Sequence, residues 1–202
     1  LSAILFLLPW QTIFIIQENF FNGTKWQYGT LGFYTTELLL WLCVILFIIK
    51  FVKEKTLQPK TYNLKPTKEK IFLLSCLLFT VYGLLSSLWA INQEVAYQHG
   101  LRIMEAVILF LMLLAGPLER KKIAFWFMAG AVLPSIIGIY QFFTQSTFVS
   151  KWLGLSHYPV WAAGTSIIST LSDERWLRAY GTFAHPNIFG GYLVISLIFT
   201  VL

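Results

Sequence analysis

Charge is what this sequence has least of. Only 12% of its 202 residues are Asp, Glu, Lys or Arg, half of the roughly 25% that soluble globular domains carry. With 57% hydrophobic and 17% aromatic residues and a mean hydropathy of +0.68, that scarcity argues against one water-driven core. It points to a polytopic membrane protein whose spans each need about 20 apolar residues. Cysteine is nearly absent as well. Cys43 and Cys76 both fall inside apolar runs, so no disulfide framework is expected and both read as small buried thiols. Soluble-enzyme signatures are missing: there is no P-loop, nucleophile elbow, dinucleotide fingerprint or zinc-ligand spacing. His99 and His157 have no cysteine or acidic ligand partner nearby, so no metal is expected. The chain lacks a starting methionine, begins inside one apolar run and stops at Val201-Leu202 inside another. It reads as the N-terminal part of a larger protein. Residues 1–16 have neither a basic n-region nor a small-residue cleavage site, so they do not read as a cleavable signal peptide.

What is present is a succession of apolar runs. The first, residues 1–16, is broken by Pro9-Trp10-Gln11-Thr12, where proline kinks a span and the polar pair needs partners. Residues 17–30 are polar and aromatic, with an Asn22-Gly23-Thr24 sequon that carries little weight. Spans follow at 31–52 (with Glu37 near its start), 71–91, 97–115 and 123–143, and a sixth begins near Pro186. In the fourth, Arg102 and Glu105 lie three apart on one helix face, where they either neutralise each other or leave Arg102 for a ligand. Gly130, Pro134 and Gly138 are packing and bending residues of the fifth. Residues 144–184 form a long segment between spans, with Trp152, Trp161, Trp176 and polar Asp173-Glu174-Arg175. It is expected to hold short helices lying on the membrane, anchored by tryptophan.

The loop at 53–70 sets the orientation. Together with Lys50 it contains Lys53, Lys55, Lys60, Lys65, Lys68 and Lys70. It has no arginine and little aromatic interleaving, so it is not a nucleic-acid patch. A short lysine-rich loop between spans is cytoplasmic by the positive-inside rule. Arg120-Lys121-Lys122 falls on the same side. Lys25, Arg102, Lys151, Arg175, Arg178 and all three histidines then fall outside, so the chemistry-capable side chains collect on the extracytoplasmic face. The expected fold is an all-α transmembrane bundle of about six spans. Residues 1–202 form one domain, with 144–184 extracytoplasmic before the last span.

One polar, glycine-punctuated stretch stands at the entrance to that last span: Arg178 through Gly181-Thr182-Phe183, His185-Pro186-Asn187 and Gly190-Gly191-Tyr192. Proline at a first helical position sacrifices no hydrogen bond. A helix N-terminus offers backbone N–H groups and a positive dipole end to a phosphate. Gly190-Gly191 leaves room for another backbone or a ligand. The stretch reads either as an anion mouth at the membrane edge or as a capped re-entry loop whose arginine meets lipid headgroups.

The pattern Arg178-x-x-Gly181-Thr182-Phe183-x-His185-Pro186-Asn187-x-x-Gly190-Gly191-Tyr192 resembles the signature of the O-antigen ligase and polymerase superfamily. Leu8-Pro9-Trp10-Gln11-Thr12 and the Tyr28–Leu38 region resemble that group's N-terminal spans. The resemblance implies a metal-free membrane glycosyltransferase that uses no nucleotide sugar or cofactor. Its donor would be a glycan on undecaprenyl pyrophosphate at the outer face of the bacterial cytoplasmic membrane. The acceptor would be a lipid A core, a growing polysaccharide or a protein. By the family pattern Arg178 binds the pyrophosphate, Arg102 is a candidate second arginine, and His185 and Asn187 shape the entrance and bond phosphate or sugar. The general base is expected beyond residue 202, so these residues alone are expected to be inactive. Two other readings remain open. One is a transporter with Arg102 and Arg178 along an anion path, although no internal repeat is present. The other is a catalytically silent scaffold.

Overall fold

The computed structural model describes residues 1–21, 24–26, 29–55, 67–116, 118–162, 164–169 and 174–201. The lysine-rich loop lies largely outside the described residues, as do Asn22 and Gly23 of the sequon and Asp173. Three helical stretches among the described residues are long and apolar enough to cross a membrane: Ile71–Leu88, Gln93–Ala115 and Arg120–Thr144. The chain is a mainly helical membrane protein. It divides into two compact units.

The first unit comprises Leu1–Phe14, Tyr34–Thr36 and Leu118–Leu202. Its axis is α5 (Arg120–Thr144), about 37 Å long at 1.5 Å per residue. Helices α1 (Ser2–Leu7) and α6 (Pro186–Phe199) both pack on it. Glycine sets those approaches. A Cβ on Gly130 would stand 2.6 Å from the Phe6 carbonyl oxygen, and one on Gly138 only 2.7 Å from the Phe189 ring. Pro134 is buried inside α5 without ending it, which requires its neighbours to make up for the lost N–H. At α6, Tyr192 donates 2.9 Å to the Phe127 carbonyl of α5. Helix α6 has 14 residues, about 21 Å, against a ~30 Å hydrocarbon core.

Two expectations fail in this unit. The run at 1–16 is not one continuous helix: α1 stops at Leu7, and Ile13–Gln17 is strand β1. Pro9 has no N–H to extend a helix. The indole of Trp10 donates to the Thr12 hydroxyl, which donates to the Trp152 carbonyl, and the β-branched residues that follow favour extension. Likewise, no α-helix occurs among the described residues of 145–185. The segment instead has a Ser150–Leu155 bridge and an antiparallel hairpin of β5 (Ile167–Ser169) and β6 (Arg175–Leu177). Gly154 and Gly164 have φ of +67° and +87°, a left-handed backbone that breaks helix and suits glycine.

The second unit comprises Ile15–Phe33 and Glu37–Pro117. It contains a short pair of strands, β2 (Phe20–Phe21) and β3 (Thr24–Lys25), the strand β4 (Leu31–Tyr34), and helices α2 (Thr35–Lys55), α3 (Thr67–Leu85) and α4 (Gln93–Ala115). Helix α3 runs into a short 3-10 turn, Ser86–Leu88, and the chain reverses into α4. The Asn92 side chain caps α4 by accepting the Val95 N–H at 3.2 Å, satisfying one of the four free donors of a helix start. Where α3 and α4 touch, a Cβ on Gly100 would lie 3.1 Å from the Gly83 carbonyl oxygen. Such close backbone approach at small residues is how helices pack without water to drive them.

Candidate anion site

Arg178 leaves β6 as an arm towards the start of α6. Its N–H donates 3.1 Å to the Ser166 carbonyl. The half-buried guanidinium donates from Nη1 to Ser166 Oγ at 3.2 Å and from Nη2 to Asn187 Oδ1 at 2.7 Å. Among the described residues these partners are neutral oxygens, so the bonds orient the cation without cancelling its charge. Among the described residues Arg178 is also the one charged group lining a groove of about 470 Å³, whose walls include Phe142, Ile168, Trp176, Phe189 and Gly190. A Cβ on Gly190 or Gly191 would meet nothing within 4 Å, so both glycines leave open space.

The arm is seated by residues that the sequence reading passed over. Gln141 of α5 is 1% exposed. Its Oε1 accepts the N–H groups of Tyr180 and Gly181 at 2.8 and 2.9 Å, and its Nε2 donates to the Gly181 carbonyl at 3.0 Å. One turn on, Gln145 Oε1 accepts the Leu177 N–H at 2.6 Å. Gly181 has φ +60°, and a Cβ there would meet the Phe189 ring at 2.9 Å. The buried Thr182 hydroxyl donates 2.8 Å to the Pro9 carbonyl, so the break after α1 and the 178–192 stretch hold each other. The available signal was two glutamines, four apart, at the end of an apolar run.

His185 is the N-cap of α6. Its Nδ1 accepts the Asn187 N–H at 3.2 Å, and its carbonyl accepts the N–H groups of Ile188 and Phe189 at 3.1 and 3.2 Å. Pro186 has no N–H. The N–H groups of Asn187, Ile188 and Phe189 are therefore already engaged. Beside this start, the Arg178 guanidinium and the Asn187 carboxamide are bonded to each other. Because Nδ1 accepts, a neutral His185 carries its proton on Nε2.

Arg102 belongs to the second unit, where it lies in the field of Glu105 as expected and also bonds Glu37. Its Nε donates 3.0 Å to Glu37 Oε1 and its Nη2 donates 3.0 Å to the Gly32 carbonyl. Gln98 also donates to the Gly32 carbonyl. Glu105 accepts from the Trp41 indole at 2.8 Å. Glu37, 65 residues away in sequence, thus neutralises Arg102 directly, and the pair fastens the strand before α2 to α4. His157 Nδ1 lies 2.9 Å from the Thr147 carbonyl. No group of three or more metal-ligating side chains occurs among the described residues. No protein-family model, curated protein or solved structure matches this chain.

Proposed function

We propose that this chain is the donor-binding part of an O-antigen ligase-like membrane glycosyltransferase, with about six spans and its site on the outer face of the bacterial cytoplasmic membrane. Its donor is a glycan on undecaprenyl pyrophosphate and its acceptor a lipid A core, a growing polysaccharide or a protein. The observation that carries this reading is Arg178. It is a guanidinium held by neutral acceptors and lining an apolar groove. That combination suits an amphiphile with an anionic head. Arginine binds phosphate through a planar, permanently charged fork.

In the reaction, the bond from the first sugar's anomeric carbon to the pyrophosphate oxygen breaks. A bond from that carbon to an acceptor oxygen forms, and the acceptor's proton passes to a base outside these residues. Negative charge grows on the leaving pyrophosphate, where a cation fixed in advance lowers the barrier. Asn187 and the Nε2–H of His185 add neutral donors. Arg102, neutralised by Glu37, is assigned a structural part.

The test follows consumption of undecaprenyl-pyrophosphate glycan by the whole protein in membranes, alongside Arg178→Ala and Arg178→Lys. Loss of transfer in both, with unchanged insertion, is the expected result. Full transfer by Arg178→Ala, or anion flux without any transfer by the wild type, overturns the reading.

A further inference from the structure

We propose that Gln141 and Gln145 are positioning residues, a two-rung splint at the C-terminal end of α5 that fixes the Arg178 arm in its anion-binding register. The inference rests on the pyrophosphate-binding reading above. The two side chains stand one helical turn apart and bond the backbone on either side of Arg178: Gln145 at Leu177, Gln141 at Tyr180 and Gly181. Arg178 itself is touched by neither. Its guanidinium takes its direction from Ser166 and Asn187, and the splint sets where the arm begins and ends.

Two features separate this from ordinary packing. Gln141 uses both ends of its carboxamide at 1% exposure, and no buried side-chain polar atom among the described residues lacks a partner. A buried amide is costly unless fully bonded, so its place in an apolar helix reflects the segment it holds. Gln145 sits at φ 51°, a left-handed conformation that glycine adopts more easily. The chain keeps a strained glutamine there, and that glutamine bonds both Leu177 and the Phe142 carbonyl. An anion site gains from such fixing because an arm already in place spends no binding energy on being ordered.

The test measures binding of inorganic pyrophosphate to the whole protein in lipid nanodiscs by calorimetry, with thermal unfolding recorded for each variant. Gln145→Gly removes a rung at a position where glycine relieves backbone strain. Affinity should fall about tenfold while the unfolding temperature holds. Gln141→Glu supplies a second readout. Its neutral acid accepts from both N–H groups and donates to the Gly181 carbonyl, as the amide does, whereas its carboxylate has no donor. Its affinity relative to wild type at the same pH should therefore approach one in acid and fall as pH rises. Arg178→Ala should abolish binding. If it does, while Gln145→Gly binds as wild type and the Gln141→Glu ratio is flat with pH, the splint is refuted and the binding site stands. If Arg178→Ala binds as wild type, both are refuted.

Discussion

Adding one methyl group at Gly138 tests the packing that seats α6 on α5. In Gly138→Ala the new Cβ would lie 2.7 and 2.9 Å from Cε1 and Cζ of Phe189. The ring is 7% exposed and has little room to retreat, because Gly181 crowds it at Cε2: a Cβ there would lie 2.9 Å away. Two effects compete. Alanine in place of glycine favours a helix by about 1 kcal/mol. Overpacking a tight contact costs about 1–3 kcal/mol. With the ring confined on both sides the clash outweighs the helix gain, for a net loss of up to about 2 kcal/mol. Equilibrium unfolding in detergent micelles, compared as shifts in midpoint at constant slope, would measure it. The double variant Gly138→Ala/Phe189→Leu should lose less than the sum of its parts, since leucine withdraws the clashing ring atoms. A Gly138→Ala protein more stable than wild type by the helix term alone would refute this packing.

Thr182→Val removes the buried bond to the Pro9 carbonyl at nearly constant volume, and should cost about 1–2 kcal/mol in the same unfolding measurement. In the second unit, Glu37→Gln removes the carboxylate bonded to Arg102 and should destabilise more than the double variant Glu37→Gln/Arg102→Gln, which removes both charges. The loss should be about 1–3 kcal/mol, below that of a fully buried pair, because the Arg102 side chain is 26% exposed.

Local signals in the sequence were legible, and signals that depend on distant partners were not. The apolar runs that became α4 and α5 announced themselves by length, and Pro186 marked the start of α6 to the residue. Arg178, His185 and Asn187 were singled out from one short stretch, and the chain brings them together through bonds spanning at most nine residues. The break after Leu7 depends on Thr12 meeting Trp152, 140 residues on, and hydropathy has no view of that. Arg102 had a plausible neighbour in Glu105, yet its partner Glu37 is 65 residues away. Gln141 and Gln145 drew no expectation, because the backbone they hold lies 32 to 40 residues later. The hairpin at 167–177 was hidden by its tryptophan and charged residues, which suit an interfacial helix equally well.

Under the proposed function, Arg178, whose bonded partners among the described residues are neutral and which lines an apolar groove, selects a pyrophosphate head. Native mass spectrometry of the purified protein, offered undecaprenyl pyrophosphate and undecaprenol in equal amounts, addresses it most directly. Wild type is expected to retain the pyrophosphate form in preference to the alcohol. Arg178→Ala should lose that preference while still binding the alcohol through the groove. Equal retention of both lipids by wild type, or an undiminished preference in Arg178→Ala, would contradict it.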